Sequence, residues 1–159
     1  MDIFKTLKRM PLFSKFMLNR YAPLRGAQIK ITVFNPNEGH IRVKMPLNSS
    51  NKNIVGVHFG GSLYAMVDPF FMLIMMQQLG RDYIVWDKAA QIDFVKPGRD
   101  TVYADFYISQ DEILNVKQLA ANHAPLLRTY PVNIVDSTGQ VIAKVEKTLY
   151  IRLKQADQS

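Results

Sequence analysis

Asn53-Ile-Val-Gly56-Val-His58-Phe59-Gly60-Gly61-Ser62-Leu63-Tyr64-Ala65-Met66-Val67-Asp68-Pro69 is the stretch that decides the fold of this chain. It sets a glycine pair ahead of a long apolar segment. From Leu63 to Met76 every residue is apolar except Tyr64, Asp68 and Pro69. A helix that is apolar on all sides belongs inside a protein, and an unpaired carboxylate buried there is costly. Asp68 therefore requires a structural partner or a chemical task.

Two helix readings fit these residues. In one, Asp68 is the N-cap and Pro69 the first helical residue, where its missing N–H is harmless, and Gly60-Gly61 is only a turn. In the other, the helix starts near Gly60–Ser62 and carries Asp68 two turns in. Pro69 is then an interior kink that costs ~3 kcal/mol and needs compensation from packing.

Outward from this segment the pattern changes from helical to alternating. Ile29, Ile31 and Val33, then Ile41, Val43 and Met45, alternate with polar residues around the turn Asn35–Gly39, which predicts a hairpin. Residues 47–59 form a loop into the apolar helix, which ends near Gly80. Tyr83–Val95 reads as a long strand. Val102, Ala104, Phe106 and Ile108 mark the next. Gln110–His123 predicts an amphipathic helix with Ile113, Leu114, Val116 and Leu119 inward. Two last strands, Leu126–Val135 and Val141–Leu153, follow. In the final one Val141, Ala143, Val145, Leu149, Ile151 and Leu153 share a face, and Lys144, Glu146, Thr148, Tyr150 and Arg152 share the other. Such alternation implies an antiparallel sheet with one covered face. The order β-β-α-β-β-α-β-β thus gives an α+β chain, one sheet with one apolar helix to wrap.

At 159 residues the chain is one domain by length, and its 48% apolar content suits a globular protein with a real core. It has no Cys, which excludes disulfides and thiolate metal sites. The start lacks the apolar core of a signal peptide, and the apolar segment is too short and interrupted to span a bilayer, so the expected compartment is the cytoplasm. The net charge of +7 is concentrated at the N-terminus. Lys5, Lys8, Arg9, Lys15, Arg20 and Arg25 face only Asp2 within residues 1–25. Ile3, Phe4, Leu7 and Met10, then Phe13, Phe16 and Met17, recur at helical spacing, divided by Pro11. Residues 1–25 therefore read as a basic amphipathic segment, 26–154 as the main domain and 155–159 as a disordered tail. The segment packs its apolar side on the domain, or through residues 1–22 meets an anionic membrane surface. With the excess charge confined there and no aromatic-basic sheet motif, no nucleic-acid partner is expected.

The arrangement Asn53-x-x-Gly56-x-x-Phe59-Gly60-Gly61, with Asp68 seven residues on, resembles the PaaI-like branch of hotdog-fold acyl-CoA thioesterases. With Phe59 where that branch usually has His, and GGSLYAMVDPFF after it, it looks most like a hotdog family filed as a domain of unknown function. The resemblance spans roughly residues 27–153 and includes the strand Gln91-Ile-Asp-Phe94-Val-Lys96-Pro97-Gly98. It implies the hotdog fold, an antiparallel sheet around a central apolar helix, and it favours the reading in which the helix starts at the glycines. It also implies thioester hydrolysis, with Asp68 as general base or nucleophile, the Gly61 N–H as oxyanion donor and Asn53 orienting the carbonyl or water. Gly60, Phe59, His58, Ser62 and Tyr64 would line the substrate. Coenzyme A enters only as part of the acyl-CoA substrate, and a carrier protein is the other acyl donor. No separate cofactor is implied.

On a continuous helix, Gly61 and Asp68 are about 10.5 Å apart along the axis, whereas a base works within about 3 Å of the proton it takes. That separation calls for donors from one subunit and the carboxylate from another: a homodimer, which itself pairs into a dimer of dimers in one version of the assembly. His58, one residue before the family's His position, either lines the site or is a solvated loop histidine. His40, beside a turn, and His123, at a helix end, do not read as catalytic, and three dispersed His argue against a metal site. Tyr64, Phe70, Phe71, Met72, Met75 and Met76 divide between core and acyl-chain contacts. Arg81, Lys88, Lys96 and Arg99 are the candidates for coenzyme A phosphates. A non-catalytic acyl-ligand-binding hotdog protein is the alternative that Phe59 motivates. A dehydratase using His58 and Asp68 is more remote.

Overall fold

A computed structural model describes residues 11–155 of the chain. The expectations for Ile3–Met10 and for the last four residues lie outside the described residues. Six strands form one antiparallel sheet: β1 (Lys30–Asn35), β2 (His40–Met45), β3 (Tyr83–Phe94), β4 (Val102–Tyr107), β5 (Leu126–Asp136) and β6 (Val141–Leu153), in the order β1-β2-β4-β5-β6-β3. The helices are α1 (Pro11–Arg20), α2 (Ala22–Gly26), α3 (Gly60–Ala65), α4 (Phe70–Leu79) and α5 (Gln110–Leu119). The expected α+β order holds.

The sheet wraps α4, as the all-apolar pattern requires. Phe70, Phe71, Ile74 and Met75 are buried against Ile41, Val43, Phe106, Ile134, Leu149 and Ile151 from the strands. The ring of Phe106 on β4 stands 5.0 Å from Phe70 and 5.1 Å from Phe71, the latter edge-on, a geometry aromatic quadrupoles favour. Phe70, Phe71 and Met75 are therefore core, while Met72 and Met76 are partly buried beside it. Gly80 closes α4 at φ +84°, a conformation that suits glycine.

The sheet departs from simple alternation at bulges. The β1–β2 register shifts between Ile31 and Val33, so the inward series runs Ile29, Ile31, Phe34, and the expected Val33 is only half-buried. An extra residue in a strand turns the side chains after it to the other face. On α5, Ile113 and Val116 are buried as expected, but Leu114 and Leu119 are exposed because they lie off that stripe. The N-terminal helices dock by polar contacts to β1 and by Leu18 and Leu24 against the core. Asn19 accepts from the Ile31 N–H at 2.7 Å and donates to its carbonyl, and Lys15 donates to the Thr32 carbonyl. Leu24 is buried, whereas Phe16, Met17 and Tyr21 are exposed. The expected packing of Phe16 and Met17 on the domain is thus corrected, since α1 turns its hydrogen-bonding face to β1.

Candidate active site

The helix carrying the decisive stretch is broken. It starts at Gly60 and stops at Ala65; residues 66–69 form a turn, and α4 begins at Phe70. The continuous helix with a kink is corrected, and so is the N-cap reading, for the Asp68 side chain caps nothing and the cap position falls to Pro69. The missing N–H of Pro69 and its ring end the i→i−4 ladder here. The axial separation computed on one straight helix therefore loses its premise.

Asp68 is freed from the helix and finds partners. Its Oδ1 accepts from the Tyr64 hydroxyl at 2.8 Å and from Lys147 Nζ at 2.9 Å. Lys147 Nζ also lies 3.0 Å from Asp87 Oδ1, an ion pair without the alignment of a hydrogen bond, and 3.2 Å from the Tyr64 hydroxyl oxygen. The Lys147 side chain is 0% exposed, that of Asp87 23% and that of Asp68 44%. Two carboxylates thus share one buried ammonium, and the outer carboxylate opens to solvent. Asp68 Oδ2 accepts no hydrogen bond among the described residues.

The electrostatics follow. Burial pulls the Lys147 ammonium toward neutrality, but its interactions with Asp68, Asp87 and Tyr64 outweigh this and raise its pKa. Burial raises Asp87 against the opposing pull of Lys147, with the Asp68 charge adding to the rise. Tyr64 is raised by burial and by donating to Asp68, opposed by Lys147. The cluster at neutral pH holds an ammonium and a neutral phenol.

The loop before α3 is built by asparagines. Buried Asn51 donates to the carbonyls of Ala27 and Pro46. Asn53 Oδ1 accepts from the N–H groups of Val55 and Val57. Only the Asn53 amide nitrogen is left to face a ligand. Gly60 and Gly61 lie under aromatic rings: a Cβ at Gly60 would stand 2.9 Å from Phe94 Cζ, and one at Gly61 would collide with the Phe59 ring. Both rings are more than half exposed. The first N–H groups of a helix have no intrahelical acceptor, and those of Gly60 and Gly61 donate to nothing among the described residues.

The residues singled out from sequence fall into three places. Tyr64 and Asp68 meet directly; Phe59, Gly60 and Gly61 make the start of α3; Asn53 is held within the loop before it, and Ser62 is buried in α3. His58 belongs with neither group. It is 3% exposed, with Nε2 2.8 Å from the Asp100 carbonyl oxygen and its ring against Gly98. Burial lowers its pKa against the opposing effect of Asp100. The solvated-loop reading is therefore corrected: the ring braces the loop against 98–100. Among the described residues no three His, Asp or Glu side chains gather as a metal site.

A family model described as Domain of unknown function (DUF4442) matches residues 9–151. The chain belongs to this family. It matches no curated protein. Among solved structures it is similar to a protein of unknown function from Pseudomonas aeruginosa described as a probable thioesterase, with TM-score 0.74, 16% identity, and 87% of this chain and 96% of that one covered. It is also similar to a thioesterase from Haemophilus influenzae, with TM-score 0.66, 16% identity and coverage of 90% and 91%. A third is the E. coli PaaI protein from the phenylacetic acid degradation operon, with TM-score 0.60, 20% identity and coverage of 87% and 89%. The DUF4442 chain has the hotdog fold of PaaI-like thioesterases.

Lys147 and Asp87 are the residues that sequence reasoning missed in this DUF4442 chain. The signal was present: of the odd-numbered residues from Val141 to Leu153, Lys147 alone is charged, on a face otherwise apolar. A cation there requires a carboxylate. Asp87 was hidden by the bulge that shifts register between Asp87 and Ala89.

Proposed function

We propose that this protein hydrolyses an acyl thioester, with an acyl-CoA as the substrate class. The observation that carries the reading is Asp68 itself, a carboxylate bonded through Oδ1, with a side chain 44% exposed and no hydrogen bond to Oδ2 among the described residues. Asp68 Oδ2 takes a proton from water as the water oxygen bonds to the thioester carbonyl carbon. The carbonyl electrons move onto oxygen, where the Gly61 N–H stabilises the charge, helped by the Asn53 amide. Collapse of that intermediate breaks the C–S bond, and the departing thiolate takes the proton back from Asp68. Because α3 has only six residues, the donor acts as an individual N–H rather than through a long helix dipole. The exposed basic residues Arg81, Lys88, Lys96 and Arg99 are candidates for the coenzyme A phosphates.

The site is read as shared within a homodimer. β3 is a sheet edge twelve residues long, with Trp86 and Phe94 exposed along it and Val95 exposed just past its end. Such an edge invites pairing with a second strand. Gly60 lies beside Phe94 at one end of β3, and Asp68 is linked through Lys147 to Asp87 toward the other. Antiparallel pairing of two β3 strands about Ala90 would bring the Phe94 end of one copy near the Asp87 end of its partner. Glycine donors and carboxylate would then converge from different chains. Among the described residues no helix is long and apolar enough to cross a membrane, and a cytoplasmic setting suits the substrate.

Phe59 at the His position favours one second reading, a hotdog protein that binds acyl ligands without turnover. Incubation with acyl-CoA thioesters of graded chain length, following thiol release and binding together, tests the proposal. Thiol release supports hydrolysis, and saturable binding with no release selects the second reading.

A further inference from the structure

Among the described residues Lys147 is the only buried Lys or Arg, and it lies far outside the stretch from Asn53 to Asp68. We propose that Lys147 is a positioning residue: it fixes Asp68 by Oδ1 so that Oδ2 is the oxygen that moves the proton, while Asp87 divides the cation's charge. This rests on the thioesterase reading above.

The geometry gives each member a distinct part. Asp68 sits in a turn with no helical hydrogen bond to orient it, so its direction comes from Tyr64 and Lys147, both on the same oxygen. Two donors on Oδ1 restrict rotation of the carboxylate and leave Oδ2 without a hydrogen bond among the described residues, on a side chain 44% exposed. Lys147 is itself held by burial in β6 and by Asp87 across the β6–β3 pair. The bulge at Lys88 is what brings both Asp87 and Ala90 to this face: Asp87 pairs with Leu149 and Ala90 with Lys147. Ala90 is small beside the lysine stem.

The charges explain why two carboxylates are present. An ammonium serving Asp68 alone would hold its negative charge so firmly that the carboxylate became a poor base. Asp87, 3.0 Å from the same nitrogen, competes for that charge. The titratable groups facing the cluster are Tyr64 from α3, Asp87 from β3, Lys147 from β6 and Tyr130, which stands opposite Lys147 on β5. Tyr130 is kept neutral by burial and by donating to Glu112. α4 carries no titratable side chain.

The test follows the Asp68 carboxyl carbon by NMR against pH in the full chain, together with the pH profile of kcat/KM. Loss of the cation in Lys147→Met should move the midpoint up, and loss of the competing carboxylate in Asp87→Asn should move it down. The acid limb of kcat/KM should move with them. Lys147→Arg, which keeps the charge but alters the geometry, should hold the midpoint near that of the unchanged protein while kcat falls. It also carries the test, with Asp87→Asn, if Lys147→Met does not fold. Midpoints that stay put or move in one direction in both Asp87→Asn and Lys147→Met, with only the melting temperature falling, would overturn the proposal, as would an unmoved midpoint in Asp87→Asn together with an unchanged kcat in Lys147→Arg. Shifted midpoints in a protein that hydrolyses no acyl thioester would overturn the thioesterase reading instead, and the NMR titration tells the two failures apart.

Discussion

Lys147 Nζ lies 2.9 Å from Asp68 Oδ1, joining the turn just before the central helix to the middle of the last strand. The contact is 79 residues long in sequence, so it forms only when the sheet has closed over α4. It offsets the loss of regular hydrogen bonding at the 66–69 break, where Pro69 ends α3's continuation. Removing the cation leaves Asp68 and Asp87 facing each other. Lys147→Ala should therefore destabilise the fold by at most ~3–5 kcal/mol, and by less than that to the extent that water reaches the partly exposed Asp68. Urea unfolding checks this. A loss under ~0.5 kcal/mol, the level of an ordinary surface change, would contradict the burial of the pair.

Asn19 supplies the two polar contacts that dock α1 on the β1 edge. Asn19→Ala should cost ~1–2 kcal/mol by leaving Ile31's backbone groups without those partners. Deleting residues 1–22 should cost at least as much, by the same thermal or urea measurement. Phe16, Met17 and Tyr21 are exposed beside Arg20. A truncated protein that melts unchanged but no longer binds anionic vesicles would shift the role of the segment to a membrane surface.

Glu112 ties α5 to β5 through a paired Arg128 at 2.9 Å and the Tyr130 hydroxyl at 2.8 Å. Burial pushes its pKa up, but the bonds from Asn115, Tyr130 and Arg128 outweigh burial and leave it below the ordinary value of 4.5. A depressed carboxyl adds stability above its unfolded pKa and loses it as pH falls through the lower folded pKa. Glu112→Gln should thus lower stability at pH 7 by ~1–2 kcal/mol, an amount reduced by the partial exposure of both partners. The difference from the unchanged protein should shrink below about pH 4. Melting temperatures across pH 3–7 measure it; a difference constant with pH would contradict the pairing.

The hotdog architecture was legible because its signals are local and redundant. The apolar run 70–76, the alternation in β2, β4 and β6, and Gly80 each point to one element. The candidate site residues Asp68, Gly61 and Asn53 stood out only through a motif. The details that failed depend on contacts across the sheet. The Ile31–Val33 bulge turned Val33 aside, Pro69 broke a helix that apolarity alone would continue, and His58 was claimed by a backbone carbonyl 42 residues away. Lys147 was readable as a charge on an apolar face, but its partners, one from the turn before α4 and one beside a bulge, could not be read from spacing.

Gly61 connects the helix start to the shared-site reading. Gly61→Val puts bulk where the Phe59 ring lies, and since that ring is exposed it can move aside, so the fold should persist while approach of a carbonyl is blocked. Mixing an inactive Gly61→Val chain with an inactive Asp68→Ala chain should restore part of the activity, up to one working site per mixed dimer. No recovery, with subunit exchange shown separately, would leave both groups acting within one chain.

The most direct test is Asp68→Asn, which keeps the shape of the side chain and an acceptor for Tyr64 and Lys147 but removes the base. Turnover of the best acyl-CoA substrate and the melting temperature are measured on one preparation. The account predicts turnover lowered by ~10²–10⁴-fold with melting changed far less. Turnover that survives the substitution while melting falls would contradict it, because Asp68 would then serve only as the partner of Lys147.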